Sequence, residues 1–499
     1  RIKVKGSRVI KVILVFGEQQ KPEDGHVNQT NLRSARASDT YILKGGEVET
    51  YEPHFTFHGF RFAEILIEGD VEVLEVTGIH AHTDLQTTGS FSCDDDLLNH
   101  LHHMARITEQ NNQYSVLSDC PQRDERFGWL NDVTSRVFQM VYNFDMDRMI
   151  AKVDHDYFET MNEEGCIADT APYYTGGQPG DTANLSYLLI AWFAYRYYGD
   201  TQLIKREYNG HKRWVEYLLT RQKDYIMDYY YYADWVPPHT LKNPFSDGIC
   251  VSSMFLNWHL KVLADLAELT GHKEDAIKYS KLAKESDIAL HQHYYHEEGY
   301  YCKNTQCENA MMLWLGITPE SEKGKVMQHI VADIENNKYH ITCGNQGYKH
   351  VFFLLCDYGY IDLALKVLRN PEYPGWGYMV KCGATTVWER WEVEMGNEMH
   401  SFNHPMFGSY DAIFYRYLGG IQINDITTSD IVIAPVIADT LNEVNSSFES
   451  IRGLIVSNWR KEGDVIKHII EVPTNTTVKV VLPKVVSING VPVSSIDTL

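Results

Sequence analysis

The spacing of hydrophobic positions changes twice along this 499-residue chain. Up to residue 88 it is short and alternating. Val9–Phe16 is a β-branched run, and Phe60–Ile67 and Val71–Val76 are strand-like segments separated by a Gly69-Asp70 turn signal. These strands are too few for a large self-sufficient sandwich and read as the end of one. At Ser92-Cys-Asp-Asp-Asp the pattern turns helical. Ser92 or an adjacent Asp suits an N-cap, and Leu97, Leu98, Leu101, Met104 and Ala105 then recur at helical spacing. Helical patterns continue to about residue 419, near 94–112, 129–144, 146–161, 183–198, 201–221, 249–271, 273–293, 306–315, 320–338, 345–358, 360–368 and 405–418. After Leu418-Gly-Gly, short strands return at 430–435, 450–456, 465–472 and 477–482, as in a small sandwich.

The predicted organisation is multidomain and mainly α. Residues 1–90 form an N-terminal β-sandwich portion, 91–419 a helical domain and 420–499 a C-terminal β-sandwich. Twelve helices suggest six hairpins closing into an (α/α)6 barrel. The count also fits an open solenoid, although no repeat of fixed period is present. The interruptions at 162–182, 222–248, 294–305 and 369–404 are rich in Gly, Pro, Trp, Tyr and acids. Long loops on a rigid scaffold are where binding and catalysis concentrate.

Composition narrows the ligand. A formal charge of −22 repels phosphate backbones and anionic lipid, so neither a nucleic acid nor a membrane is expected as partner. No run approaches the ~18 apolar residues of a membrane span. The aromatic share, 12%, suits sugar stacking, but filling helical cores accounts for the larger part of it. Nine scattered cysteines without CxxC spacing read as reduced packing residues, not a zinc site or disulfide framework. His100, His102 and His103 fall on different helix faces, and helix-start acids explain Asp94-Asp-Asp, so no metal is expected. With no phosphate loop and no Gly-x-Ser-x-Gly elbow, no cofactor is expected either.

Chemistry concentrates in Ser118–Asp132, which packs Asp119, Asp124, Glu125 and Asp132 with Arg123, Arg126 and Trp129 between Pro121 and Gly128. The residues alone leave two readings open, a helix terminus with a salt-bridge cluster and an active-site floor. Glu125, flanked by Asp124 with Asp119 and Asp132 nearby, can have its pKa raised by burial and like charge, as a general acid requires. Arg123 and Arg126 oppose this, so their side-chain directions decide. A second stretch is Tyr373-Pro-Gly-Trp-Gly-Tyr-Met followed by Gly383-Ala-Thr-Thr-Val-Trp-Glu-Arg-Trp. Glu389 there has a bland reading as partner of Arg390 or Arg126. Glu392, Glu394 and Glu398 follow closely, and spacing to Trp388 selects Glu389. A third is Ser401-Phe-Asn-His-Pro-Met-Phe-Gly, where a lone His404 reads as structural. Trp235 and Trp376 lie in Pro/Gly-rich loops and suit either core or sugar platform.

These three motifs stand in the order of the α-L-rhamnosidases of glycoside hydrolase family 78, which the chain resembles along essentially its whole length. Tyr51-Glu-Pro-His-Phe-Thr-Phe-His-Gly-Phe-Arg and Asn458-Trp-Arg…Val472-Pro agree as well. The resemblance implies an (α/α)6 catalytic barrel flanked by β-sandwiches. The implied enzyme is an inverting exo-glycosidase that removes terminal α-L-rhamnose from L-rhamnose-containing glycosides. It implies Glu125 as general acid and Glu389 as general base. It further implies Asp119, Arg123, Trp129, Asp132, the Asp234-Trp235 pair and His404 as the sugar-contacting shell, with Trp129 and Trp235 the stacking candidates. Asp124 is left without a role. Two departures stand out. Residue 131 is Asn where a Gly is usual, and Pro179–Leu185 lacks a Trp common in relatives. Other readings are a different inverting (α/α)6 glycosidase, or an inactive or truncated glycan-binding relative. The chain opens at Arg1 without a signal-peptide pattern, so its true start is expected upstream and the compartment to be bacterial cytoplasm or periplasm. Oligomeric state leaves no signal.

Overall fold

The computed structural model describes residues 1–240, 246–393, 401–482, 487–489 and 491–492. The leading residues form two three-stranded antiparallel sheets. One runs Glu49–Tyr51, Ile2–Gly6, Val71–Val76, the other Ser38–Ile42, Lys11–Gly17, Phe62–Ile67. Alternation places the strands: Val12, Leu14 and Phe16 are buried while Lys11 is exposed. With Ile2, Val4, Leu32, Ala37 and Leu43 they make a small core of their own. The Gly69-Asp70 turn does not close a hairpin. Residues 62–67 pair with 11–17 and residues 71–76 with 2–6, so the turn passes the chain between sheets.

Twelve α-helices follow among the described residues: α1 (Asp96–Asn111), α2 (Leu130–Asn143), α3 (Asp147–Glu159), α4 (Ser186–Tyr198), α5 (Thr201–Thr220), α6 (Gly248–Thr270), α7 (Lys273–Tyr294), α8 (Gln306–Trp314), α9 (Glu320–Asn336), α10 (Tyr348–Asp357), α11 (Ile361–Arg369) and α12 (Trp376–Lys381). Side chains cap several as their sequences suggest. Asp95 accepts from the Leu97 and Leu98 amides at the start of α1, and Thr305 with Glu308 forms a capping box on α8.

Eleven helices overlie expected segments. α12 was expected to be loop, and the expected helix at 405–418 is broken. Its chain makes 3-10 turns at Pro405–Phe407 and Ser409–Asp411, then a π-helical turn at Phe414–Leu418. Pro405 and Gly408 interrupt the first half. In α12, a side chain at Gly377 would meet the carbonyl oxygen of Asn370 at 2.5 Å, so this glycine serves close packing rather than a loop.

α2 packs on α4, α4 on α6, α6 on α8 and α8 on α10, while α10 and α2 both contact the Ser409–Asp411 turn. α3, α5, α7, α9 and α11 lie against this set, and α1 contacts α2, α11 and α12. Burial matches these positions. α2 is buried all round except at Phe138, whereas α7 buries one stripe, Ala276, Tyr279, Ala283, Ser286, Leu290 and Tyr294.

The trailing residues add a four-stranded sheet, Val465–Glu471, Gly453–Glu462, Glu443–Ser450, Gly89–Cys93, and a three-stranded one, Ile421–Asp425, Asp430–Ile433, Lys479–Val480. The expected strand 450–456 spans a hairpin corner, with Ser450 ending one strand, residues 451–452 turning and Gly453–Val456 opening the next, and Gly89–Cys93 joins this sheet rather than the leading ones. Phe91, Ile431, Phe448 and Trp459 belong to the same continuous core as the helices. All nine cysteines are free thiols. Among the described residues no helix is long and apolar enough to cross a membrane.

Candidate active site

The Ser118–Asp132 stretch, between α1 and the first turn of α2, is a loop closed on itself up to Trp129. The Asp119 amide donates to the Phe127 carbonyl at 3.0 Å, and Oδ1 of Asp119 accepts from the Phe127 amide at 2.8 Å. Gly128 is required by contact, since a side chain there would meet the Ala171 carbonyl oxygen at 2.2 Å. This closure presents Glu125 to its partners. Oε1 accepts from the Trp129 indole at 2.8 Å, and Oε2 lies 2.5 Å from the Arg123 guanidinium and 3.1 Å from that of Arg33.

Glu389 is held differently. Its amide donates to the Ser401 carbonyl at 2.9 Å, and its Oε2 accepts from the Ser401 amide at 2.8 Å. Nη1 of Arg123 donates to the same oxygen at 2.7 Å and Nη2 to Oε1 at 3.2 Å. Arg123, not Arg390 or Arg126, is thus its forked partner. Glu392 instead pairs with Arg390 at 3.1 Å and accepts from the Tyr373 hydroxyl at 2.7 Å. Glu394 and Glu398 lie outside the described residues.

One buried guanidinium therefore bridges two carboxylates 264 positions apart in sequence (389 − 125). Their nearest oxygens, both on Nη2, are closer to each other than the roughly 6.5–9.5 Å of inverting pairs. Glu125 keeps 11% of its side chain exposed against 2% for Glu389. Arg126 points elsewhere, donating to the Phe57 carbonyl with its guanidinium over the Phe57 ring. Burial pushes the Asp119 carboxyl up to about 7, with the Glu125 charge adding to it.

Asp132 and His404 are brought together, with Oδ1 and Nε2 2.7 Å apart. Burial favours the neutral His404 ring, but the Glu389 and Asp132 carboxylates outweigh it and raise its pKa. Oδ2 of Asp119 and Nδ1 of His404 are buried without a hydrogen-bond partner among the described residues. Half-buried Trp129 and Trp235 both pack edge-on against Tyr232, at 5.7 and 5.4 Å between ring centroids.

Asp234 departs from its expected place. Its Oδ2 accepts from the Gly344 amide at 2.7 Å and its Oδ1 from the Gln346 and Gly347 amides at 3.1 and 2.9 Å. A fully buried carboxylate committed in this way holds the 344–347 turn. Trp376 is core, buried among Tyr348, Phe352, Trp391 and Tyr410. Asn131 takes a definite role: its Oδ1 accepts from the side-chain amides of Asn345 and Gln346, each at 2.7 Å.

Sequence reasoning missed the contribution of the leading β region. Arg33 donates to Asp124 at 2.7 Å as well as to Glu125, and the Ser34 amide and hydroxyl also donate to Asp124, which gives Asp124 its role as a docking post. Tyr232 was missed too, although a run of four tyrosines before Ala233-Asp234-Trp235 marks it. Backbone strain gathers at these positions. Arg33, Arg126, Ala233 and Val236 have φ of 57°, 61°, 50° and 52°. Asp119, Cys120 and Glu125 offer ligand atoms within 4.8 Å of one another, but Arg123 already supplies that cluster with a cation and burial keeps the Cys120 thiol protonated.

Known proteins resemble this chain in sequence and fold. Residues 86–418 match the bacterial alpha-L-rhamnosidase 6 hairpin glycosidase domain, residues 1–82 the family's concanavalin-like domain and residues 429–495 its C-terminal domain. An alpha-L-rhamnosidase of Streptomyces avermitilis is 30% identical over 494 residues, covering 97% of this chain and 47% of that protein. The alpha-L-rhamnosidase structure from Dictyoglumus thermophilum superposes with a TM-score of 0.90 at 33% identity, over 97% of this chain and 56% of that one. The Streptomyces avermitilis enzyme complexed with L-rhamnose gives 0.88 at 28% identity, over 96% and 47%. The chain spans about half the length of the curated relatives it matches. With three domain models of one family in order along it, the chain belongs to the bacterial alpha-L-rhamnosidase family.

Proposed function

We propose that this chain hydrolyses terminal α-L-rhamnosides as an inverting exo-glycosidase, with Glu125 as general acid and Glu389 as general base. The observation that carries this reading is the pair of carboxylates on one buried guanidinium, one partly open to solvent and the other sealed. Glu125 gives its proton to the glycosidic oxygen as the bond to the anomeric carbon breaks. Water attacks that carbon from the opposite face and Glu389 takes its proton, releasing the β anomer of rhamnose. All three side-chain contacts to Glu125 donate to it, so the glycosidic oxygen has to displace one of them. The sugar and the water must also open the space between the two carboxyls.

The relative crystallised with L-rhamnose supports the substrate class. Asp119 Oδ2, 3.7 Å from the Arg123 guanidinium, and His404 Nδ1 both lack a hydrogen bond and suit sugar hydroxyls, and Trp129, Tyr232 and Trp235 suit a sugar's apolar face. Asp132 orients His404, Asp234 acts through the 344–347 turn, and Arg123 sets the carboxyls. No cofactor, nucleic acid or membrane enters this reading. The order of helix contacts supports an (α/α)6 barrel, with α2, α4, α6, α8, α10 and the 405–418 turns inside. Flanking β-sandwiches and a division at about residues 90 and 419 complete the proposed architecture.

Glu125→Gln should lower kcat by roughly 10²–10⁴-fold on unactivated rhamnosides and far less on aryl rhamnosides with good leaving groups. Near-full activity on both substrates overturns the acid assignment. With Glu389→Ala, added azide should restore turnover and yield the β-rhamnosyl azide. An α-configured first product, read by NMR, overturns inversion. Turnover of another aryl glycoside but not of the α-L-rhamnoside overturns the substrate.

A further inference from the structure

A third carboxylate, Glu18, stands behind the proposed base and belongs to none of the sequence motifs. It follows the Lys11–Gly17 strand of the leading β region and is buried. Its Oε2 accepts from the Asn31 side-chain amide at 2.7 Å and from the backbone amide of Phe402 at 3.1 Å. The neighbouring residue, Ser401, supplies the amide and the carbonyl that hold Glu389. Two residues on, the His404 amide donates to the Val387 carbonyl at 2.8 Å and the His404 ring meets Asp132. The 401–404 segment is therefore pinned at Ser401 to Glu389, at Phe402 to Glu18 and at His404 to Val387 and Asp132. Three of these four anchors, Glu389, Val387 and Asp132, are in the helical domain, and Glu18 comes from outside it.

We propose that Glu18 is a positioning residue for the general base: by accepting the Phe402 amide it fixes the segment that sets the direction of Glu389 and His404. Asn31 aims Glu18, which aims the Phe402 amide, and the adjoining Ser401 amide aims the base. The leading β region is then part of the catalytic apparatus without touching the sugar through this residue. The carboxylate chemistry suits the task. Burial pushes Glu18 up to about 7, against the pull of the Phe402 and Asn31 hydrogen bonds and of Arg123. A protonated Glu18 still accepts the amide through its carbonyl oxygen and adds no negative charge beside Glu389. The cleft that Glu18 lines also holds Arg61, His103 and Cys382.

The proposal rests on Glu389 as the base, and the test separates the two. Glu18→Ala removes the acceptor, Glu18→Asp withdraws it and Glu18→Gln keeps an amide oxygen in its place. All three are measured as the full chain on an α-L-rhamnoside, beside Glu389→Ala and with thermal midpoints. Glu18→Ala and Glu18→Asp should lose kcat by roughly 10–100-fold, since a small misplacement of a reacting group costs about that much, while KM moves by no more than about twofold. Glu18→Gln should recover most of that kcat. Wild-type kcat in Glu18→Asp with an inactive Glu389→Ala overturns the role of Glu18 alone. So does a rise in KM with kcat unchanged. An active Glu389→Ala overturns the base assignment and the Glu18 proposal with it. Should Glu18→Ala fail to fold, the contrast between Asp and Gln at this position decides.

Discussion

The leading and trailing β regions meet the helical domain in opposite ways. The trailing sheets share its hydrophobic core. Phe91 stacks on Phe414 at 4.7 Å, Phe448 sets its edge against Tyr142, and buried Trp459 donates to the Leu418 carbonyl at 2.8 Å. The leading sheets keep a separate core and reach across chiefly with polar contacts, beside a stack of Phe57 on Tyr114 at 4.3 Å. Arg33 meets Asp124 and Glu125, the Gly59 amide donates to the Pro121 carbonyl at 3.2 Å, Arg61 donates to the Gly383 carbonyl at 2.8 Å, and Glu18 accepts from Phe402. Each of these polar contacts ends on one of the three stretches that carry the candidate site, Ser118–Asp132, Gly383–Trp391 and Ser401–Gly408. Apolar burial stabilises a fold with little regard to direction, whereas hydrogen bonds contribute little net stability but fix orientation. The trailing interface holds the molecule together, and the leading one is proposed to aim the site.

The largest effect expected from this contrast is on stability at the trailing side. Trp459→Ala should cost about 3–5 kcal/mol, as for other buried aromatic truncations, because it leaves a cavity in the shared core. Its kcat, measured below the lowered melting transition, should stay close to wild type. A large loss of kcat with an unchanged melting midpoint would contradict the division of labour.

A second expectation concerns pH and lies at the leading interface. The folded pKa of Glu18, about 7, is above its ordinary 4.5, so the folded chain holds a proton that the unfolded chain releases. This contribution to stability is fully present below about 4.5 and is lost as the pH rises through about 7. At about 1.4 kcal/mol per unit, it is on the order of 3 kcal/mol. Asp119, pushed up to about 7 by burial and then by Glu125, works in the same direction. Glu18→Gln does not titrate, so denaturation midpoints at roughly pH 5 and pH 8 should lie closer together in it than in the wild type. An equal gap in both proteins would show that Glu18 holds no such proton.

Legibility in the sequence followed distance along the chain. Long amphipathic or wholly apolar stretches marked α1 to α11 because periodicity accumulates over several turns. The six residues of α12 are too few for that, and glycines that serve packing look like loop residues. Within the site, Glu125, Asp119 and Asp132 were visible because one local motif contains them. Arg33 and Glu18 were not. Arg33 sits in Leu32-Arg-Ser-Ala-Arg, which resembles an exposed turn, and Glu18 is a lone acid at the end of an apolar strand. Only the docking of the leading sheets brings them to residues more than ninety positions away. Asp234 failed for the complementary reason. An Asp-Trp pair in a Pro-rich loop looks ready for a sugar, and the three backbone amides it accepts from lie 110 to 113 positions downstream.

The smallest effect, and the sharpest test of the contrast, is at Arg33. Its ion pair with Asp124 is about one-third exposed on both sides, with side-chain exposures of 33% and 30%. Losing it should cost no more than about 1 kcal/mol. Ser34 still holds Asp124 through its amide and hydroxyl, so the leading region stays docked in Arg33→Ala. What changes is Glu125, whose Oε2 loses one of its two guanidinium contacts, and kcat should fall by less than about tenfold. The backbone separates this loss from a general loosening. Arg33 has φ 57° and ψ −115°, a conformation that glycine adopts at less cost. Arg33→Gly should therefore recover about 1 kcal/mol of strain relative to Arg33→Ala while showing the same fall in kcat. If activity instead tracks stability across the two variants, the leading interface is a structural contact like the trailing one, and the aim of Glu125 comes from Arg123 and Trp129 alone.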